Sequence, residues 1–159
     1  ASYIVHLLPP YHRNFGKRLV KTPKLYFVDT ALAAWLLGIR DADTLANHAM
    51  RGALFENFVV GEFVKQRFNR GQPAEFYFWR DNVGHEVDLL FETPAGLQGV
   101  EIKSGMSFGG DWPDGLRRWR THAGGEALLP WIVYGGERSF EAADYVAFSW
   151  RNLGMVPEP

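Results

Sequence analysis

Cysteine is absent from this chain of 159 residues, and so is any long apolar run. Without cysteine the chain forms no disulfides and no thiolate metal sites, which fits the reducing cytoplasm. No apolar stretch approaches the ~20 residues that a membrane-spanning helix needs. The first residues also lack the basic lead-in and cleavage pattern of a signal peptide. We therefore expect a cytoplasmic protein without a membrane segment.

A phosphate-binding loop and an excess of positive charge are also missing. No GxxxxGK[ST] loop occurs, so the chain should not bind ATP by that route. The 17 Lys and Arg residues are balanced by 18 Asp and Glu residues, for a net charge of -1. A stand-alone nonspecific DNA-binding protein is usually basic, so the charge does not support strong nucleic-acid binding by this chain alone. The five histidines show no H-x-x-x-H spacing, which argues against zinc.

The composition is that of a chain with a real core. Hydrophobic residues make up 47% and aromatic residues 15% of the sequence, enough for one folded domain. Residues 1–23 have the pattern of an extended arm, with Pro9 and Pro10 after a short apolar stretch. The chain begins with alanine, and we expect it to be part of a longer protein. A basic run crosses the arm, either as a solvated surface or as a contact for phosphate or an acidic partner: Arg13, Lys17, Arg18, Lys21 and Lys24.

The hydrophobic periodicity predicts an α/β protein with a mixed sheet flanked by helices. Strands are predicted at 25–28, 76–79, 84–92, 97–103, 128–134 and 144–150, and helices at 31–37, 44–50, 52–69 and 112–122. The 52–69 helix is apolar around most of its circumference, which is typical of a buried helix. Its two acids, Glu56 and Glu62, lie six positions apart and point to different sides, so at most one faces a given site. Expected core residues are Phe55, Phe58, Val59, Phe63, Leu89, Val100, Ile102 and Ile132.

The predicted strands 84–92 and 97–103 carry charged residues at alternating positions. Side chains switch faces at every residue of a strand, so Glu101 and Lys103 share one face, and Asp88 shares a face with Glu86. The connecting TPAG sequence suits a hairpin turn. If the strands pair, Asp88, Glu101 and Lys103 converge on one side of the sheet.

Carboxylates on neighbouring strands have a specific use. Hard cations such as Mg²⁺ take oxygen ligands and bind through one or two carboxylates together with water and substrate phosphate. A lysine beside the metal positions an attacking water or neutralises charge that builds up on a phosphate. The alternative interpretation is a solvated outer face of an antiparallel hairpin, where Glu and Lys are ordinary.

An Asp followed by Glu-x-Lys on the next strand resembles the PD-(D/E)xK nuclease arrangement in residue type, order and spacing. The resemblance implies a restriction-endonuclease-like αβββαβ core and a site that binds Mg²⁺ or Mn²⁺. Asp88 and Glu101 would be the metal ligands, and Lys103 would orient the water. The superfamily carries a further acid on its first core helix. Glu56 matches that acid, with Glu62 as the alternative.

Three segments carry a narrower resemblance: TPKLYFVDTALAAWLLGI (22–39), GALFENFVVGEFVKQ (52–66), and YFWRDNVGHEVDLLFE with GVEIKSG. They are similar to a C-terminal domain of unknown function that follows the ATPase core in a group of prokaryotic AAA-type ATPases. The resemblance implies that residues 1–23 are a linker arm from an upstream ATPase and winged-helix region. Residues 24–159 would then be the nuclease-like domain, with the upstream ATPase domain as its partner.

Two functions follow from the resemblance. The first is a metal-dependent nuclease-like domain of an AAA-type ATPase that acts on or binds nucleic acid, with Glu56, Asp88, Glu101 and Lys103 as catalytic residues. The second is a catalytically inactive nuclease-fold module that serves protein docking or regulation of the ATPase. The intact Asp and Glu-x-Lys pattern favours the first, whereas the net charge of -1 and the exposed basic arm favour the second.

Overall fold

The computed structural model describes residues 3–11 and 22–157. Of the basic run, Lys24 lies within these residues, and the other four predicted basic positions lie outside them. Nowhere in the described ranges is there a helix both long enough and apolar enough to cross a bilayer.

Eight strands and four helices make up the fold of the described residues. The strands are β1 (Val5–Leu8), β2 (Lys24–Phe27), β3 (Tyr77–Arg80), β4 (Glu86–Thr93), β5 (Gly96–Lys103), β6 (Trp131–Tyr134), β7 (Phe140–Glu141) and β8 (Val146–Ser149). The helices are α1 (Thr30–Leu36), α2 (Ala42–Asn47), α3 (Arg51–Asn69) and α4 (Asp114–Ala123), with short 3₁₀ segments at Gly124–Glu126 and Trp150–Met155. The predicted helices and the strands from β2 to β6 are confirmed within a few residues at their ends.

The main sheet has six strands in the order β3-β4-β5-β6-β8-β7. The pairs β3–β4, β4–β5 and β7–β8 are antiparallel, whereas β5–β6 and β6–β8 are parallel. From α3 onward the chain runs helix, three strands, helix, strand, and α4 is the crossover that makes the parallel β5–β6 pair. The predicted mixed α/β architecture with flanking helices is confirmed.

Each face of the main sheet is covered by one helix and has its own core. On one face, α3 buries Val59 and Phe63 against strand residues such as Phe91. On the other face, α4 buries Leu116 and Trp119. The Trp119 ring lies over Gly99, where an added Cβ would come within 2.6 Å of it. A side chain on Gly99 would therefore push α4 away from the sheet.

Six of the eight residues predicted to lie in the core are buried. The prediction was wrong for Phe55 and Phe58, which are partly buried and pack against the edge of the α3 core. Pattern alone did not separate them from the buried positions because α3 is apolar on most sides. The part of its surface that the sheet leaves uncovered is therefore apolar too.

A small second sheet contains β1, in a stretch for which the sequence predicted an extended arm. Val5–Leu8 pairs antiparallel with β2 and ends just before the two prolines. The strand after it leads into α1, which Asp29 caps by accepting hydrogen bonds from the backbone N–H groups of Ala31 and Leu32. This hairpin, β1–β2, carries two of the side chains of the candidate site.

Candidate functional site

Three carboxylates from two elements of the fold lie together. One oxygen each of Glu56 on α3 and of Glu86 and Asp88 on β4 lie within 4.8 Å of one another. Glu86 and Asp88 share a strand face because they are two residues apart. Glu56 reaches them from the second turn of α3. We call these three residues the acidic cluster.

The ammonium group of Lys24 lies in the acidic cluster. Its Nζ is 2.8 Å from Glu56 Oε1 and 3.6 Å from Asp88 Oδ1, and it also contacts Glu86 Oε1. Burial alone would lower the pKa of Lys24, but the charges of Asp88 and Glu56 outweigh it and raise that pKa. Lys24 is therefore protonated at neutral pH and forms ion pairs with three carboxylates.

Tyr26 completes the contact between the hairpin and the cluster. It lies two residues after Lys24, on the same strand face, and its hydroxyl donates a hydrogen bond of 2.5 Å to Glu56 Oε1. Burial and the nearby Glu56 carboxylate raise the pKa of Tyr26. The phenol is thus a hydrogen-bond donor, and it fixes the orientation of the Glu56 carboxylate.

A buried asparagine of α3 holds β2 in this position. Asn57 Oδ1 accepts a hydrogen bond of 2.7 Å from the Phe27 N–H, and its Nδ2 donates to the Phe27 carbonyl at 2.9 Å. Nδ2 also donates to Thr30 Oγ1 at 2.8 Å. The Asn57 amide thus pairs with the Phe27 N–H and carbonyl in the way that the backbone of a neighbouring strand would. Since Asn57 follows Glu56 directly, the same turn of α3 anchors the hairpin and supplies an acid.

Asp88 lies where β4 departs from regular pairing. Between Val87 and Leu90, β4 has one residue more than the facing stretch of β3, and its regular pairing with β5 stops at Leu89. The Asp88 carboxylate turns towards β5, where Oδ2 accepts a hydrogen bond of 2.8 Å from the Ile102 N–H. Burial raises the pKa of Asp88, and the charges of Glu101 and Glu56 raise it further.

Glu101 and Lys103 form a pair of their own next to the acidic cluster. Lys103 Nζ lies 2.5 Å from Glu101 Oε1. The second oxygen, Glu101 Oε2, is buried and has no hydrogen-bond partner among the residues that the structure describes. Burial raises the pKa of Glu101, against the opposing charge of Lys103. Burial would lower the pKa of Lys103, but the Glu101 carboxylate raises it, so Lys103 is a cation.

The structure brings the four predicted site residues close together in two groups. Glu56 and Asp88 belong to the acidic cluster, and the Glu101–Lys103 pair adjoins it through the charge interaction of Glu101 with Asp88. Val100 and Ile102 pack in the α3 core, so strand alternation points the Glu101 side chain away from that core, while its carboxylate stays near enough to interact with the charges of Asp88, Glu86 and Glu56.

Glu62 lies apart from the acidic cluster. Its carboxylate is 2.7 Å from Lys65 Nζ, one turn further along α3. Glu56 and Glu62 thus point to different sides of α3, as their six-residue separation predicts.

Sequence reasoning missed the roles of Lys24, Tyr26 and Glu86. Glu86 had a usable signal, because it shares a strand face with Asp88. Lys24 and Tyr26 also stand two apart on a strand, but Lys24 ends a basic run, and such a run is typical of a solvated surface. Their partners lie 32 and 30 residues away on α3, a contact that no local pattern encodes.

Glu56 and Glu86 of the acidic cluster line a cavity of about 570 Å³. Lys24, Tyr26, Glu56, Glu86 and Arg80 form its polar end, and most of the remaining wall is apolar and comes from β2, α1 and α3. Arg80 also contacts the second carboxylate oxygen of Glu86. The cluster is therefore reachable from solvent on one side.

His85 lies on the α4 side of the sheet, outside this site, and contacts residues there. Its Nδ1 lies 2.8 Å from Oδ2 of the buried Asp81, and its Nε2 contacts Arg118 of α4. Asp81 Oδ1 also accepts hydrogen bonds from the backbone N–H groups of Val83 and His85, which shapes the turn before β4. This turn sets where β4 begins, and hence where Glu86 lies.

Comparison with protein families gives two matches. The family described as "Domain of unknown function (DUF4143)" matches residues 51–153, which is more than half of the chain and includes α3, the main sheet and α4. The family described as "Domain of unknown function (DUF8612)" matches residues 1–43, which include the β1–β2 hairpin. The acidic cluster and Lys24 thus come from two separately matched segments.

Two curated relatives are uncharacterized proteins of mycobacteria: Rv2008c of Mycobacterium tuberculosis and Mb2031c of Mycobacterium bovis. Each is 33% identical to this chain over 146 residues, which cover 91% of the chain. The same match covers 31% of each relative, so the chain spans about a third of their length. With the match over residues 51–153, the chain belongs to the DUF4143 family, a domain of unknown function that is known as a C-terminal domain of AAA-ATPase-containing proteins.

Proposed function

We propose that this domain is a metal-dependent nuclease-like domain that hydrolyses phosphodiester bonds of nucleic acid. One observation carries the proposal: Glu101 Oε2 is buried without a hydrogen-bond partner among the described residues, and the Glu101 carboxylate interacts through its charge with the clustered acids. A buried acceptor without a partner costs free energy, and a divalent cation would satisfy it. The αβββαβ order of α3, β3–β5, α4 and β6 is that of a restriction-endonuclease-like core, and it supports the same proposal.

The residues present fit Mg²⁺ or Mn²⁺. All the available ligand atoms are carboxylate oxygens, the donors that hard cations prefer. Asp88 and Glu101 would hold the ion, as the sequence predicts, and Glu56 and Glu86 add carboxylates on the cavity side. The raised pKa of Asp88 has a clear cause in burial and neighbouring acids, and a cation that binds there would remove part of that cost.

The chain's own side chains would divide the remaining work. A bound ion would supply Lewis acidity towards a phosphoryl oxygen. Lys103 stays protonated beside Glu101, so its role is to orient water or to neutralise phosphate charge rather than to accept a proton. Tyr26 donates to Glu56 and keeps that carboxylate turned towards the cluster.

Cleavage of nucleic acid tests the proposal directly. Single-stranded and duplex DNA and RNA would be incubated with the chain in Mg²⁺ or Mn²⁺. Asp88→Asn keeps the shape of the side chain but removes its charge, and we expect it to lower the cleavage rate at least about 100-fold. Glu62→Gln is the matched control on α3 and should leave the rate unchanged. Equal cleavage by the wild type and Asp88→Asn would refute this assignment of the site.

Docking or regulation of an ATPase domain is the second candidate, and Lys24 is the observation that favours it. An ammonium group already neutralises part of the acidic cluster without any metal. In that case the nuclease-like core would be a catalytically inactive module, and the upstream ATPase domain of the longer protein would be its partner. Absence of cleavage together with absence of metal binding would favour this candidate.

A further inference from the structure

We propose that Lys24 is an internal cation that holds the acidic cluster closed and that a divalent metal ion displaces it on binding. This inference rests on the proposed metal site and adds its regulation. It makes the β1–β2 hairpin part of the site. The hairpin would then set how readily the cluster accepts an ion.

Geometry makes the two cations alternatives. Mg²⁺ lies about 2.1 Å from its oxygen ligands. Lys24 Nζ lies 2.8 Å from Glu56 Oε1, and one carboxylate oxygen of Glu56 lies within 4.8 Å of one oxygen each of Glu86 and Asp88. An ion bound to these oxygens would come within a few ångströms of the ammonium in a largely buried place. Two like charges at that separation repel strongly, so binding of one requires withdrawal of the other.

The net charge of the site is closer to zero after a divalent ion replaces the Lys24 ammonium. Four carboxylates, those of Glu56, Glu86, Asp88 and Glu101, face three cations, those of Lys24, Arg80 and Lys103. With every group ionised the sum is -4 + 3, or -1. Replacement of the Lys24 ammonium by a divalent ion changes the sum to -4 + 2 + 2, or zero. If Glu101 also binds the ion, as proposed above, its orphaned Oε2 would gain a partner in the same step.

The position of Lys24 allows it to leave without unfolding. It is the first residue of β2 and belongs to the terminal pair of the hairpin, with Leu8. The adjoining cavity, which Lys24 itself lines, has room for the displaced side chain. Phe27 stays tied to Asn57, and Tyr26 stays hydrogen bonded to Glu56. Only the four-carbon side chain has to swing.

Amine labelling of the wild-type chain tests the displacement. An amine-reactive reagent would be applied with and without saturating Mg²⁺, and modification of each lysine would be followed by mass spectrometry. We expect labelling of Lys24 to rise about tenfold with Mg²⁺, because the ammonium leaves a buried ion pair for solvent. Lys65, which is ion-paired with Glu62 outside the cluster, is the internal control and should not change.

A variant tests the same inference through affinity. In Lys24→Gln, Mn²⁺ should bind about tenfold more tightly than in the wild type, since no closed state competes with the ion. Lys65→Gln should bind Mn²⁺ as the wild type does. Isothermal titration calorimetry gives both values, and the labelling experiment remains informative if Lys24→Gln does not fold.

The outcomes separate the inference from the proposed function. Metal binding with unchanged Lys24 labelling, or with equal affinity in Lys24→Gln, would overturn the displacement and leave the metal site standing. Absence of Mg²⁺ and Mn²⁺ binding in the wild type and in Lys24→Gln alike would overturn both.

Discussion

Asn57→Ala is the substitution that most sharply tests how the hairpin is attached to the domain. The side chain is buried and makes three hydrogen bonds, two with the Phe27 backbone and one with Thr30. Each contributes about 0.5–1.5 kcal/mol, and their loss also leaves backbone groups of Phe27 without this partner. We therefore expect Asn57→Ala to lower the free energy of unfolding by about 2–4 kcal/mol.

Urea unfolding followed by circular dichroism measures this loss, with Asn47→Ala as the matched control. Asn47 is exposed and donates one hydrogen bond to the Asp43 carbonyl, so its substitution should cost less than about 0.5 kcal/mol. A change below about 1 kcal/mol in Asn57→Ala would refute the reasoning. The hairpin would then be held mainly by its apolar contacts.

Two further predictions concern other parts of the fold. Phe63→Ala should lower the free energy of unfolding by about 3–5 kcal/mol, and Phe58→Ala should lower it clearly less, because Phe63 is fully buried and Phe58 only partly. Thermal melting of both variants tests which of the two is the more destabilised. At Asp81, burial opposes ionisation, but hydrogen bonds from His85 and its neighbours lower the pKa below 3.8. The stability that this carboxylate contributes is therefore present above about pH 4 and is lost as pH falls through the lower folded-state pKa. The free energies of unfolding of Asp81→Asn and the wild type should differ most above pH 4 and converge below it. A difference that stays constant with pH would contradict the lowered pKa of Asp81.

Much of the fold could be predicted from the sequence because its central elements have strong local patterns. The apolar residues around α3 and the alternation along β4 and β5 each predict one kind of structure. Asp29 and Asp41 cap α1 and α2 from the position directly before each helix, where an aspartate is a common N-cap. By contrast, β7 has two residues, too few for a clear pattern, and the two prolines directly after β1 favoured an extended arm there. They become strands because β2 and β8 lie beside them.

The candidate site could be predicted only in part, since its parts come from distant segments. Glu56 and Asp88 were expected together, and they share the acidic cluster. The Asp88 position also depends on an irregularity in β4, which strand alternation does not reveal. Lys24 was missed because a lysine in a basic run has the same sequence signal whether solvent or three carboxylates surround it.

Binding of a divalent ion to the wild-type chain is the most direct test of the account. Melting of the chain would be measured with and without Mn²⁺, and then repeated for Asp88→Ala. An ion that binds only the folded state stabilises it by mass action, about 2.7 kcal/mol at a concentration 100 times Kd. The account predicts a melting temperature that rises with Mn²⁺ in the wild type and does not rise in Asp88→Ala. A wild-type melting temperature that is unchanged by Mn²⁺, or an equal rise in both proteins, would contradict it.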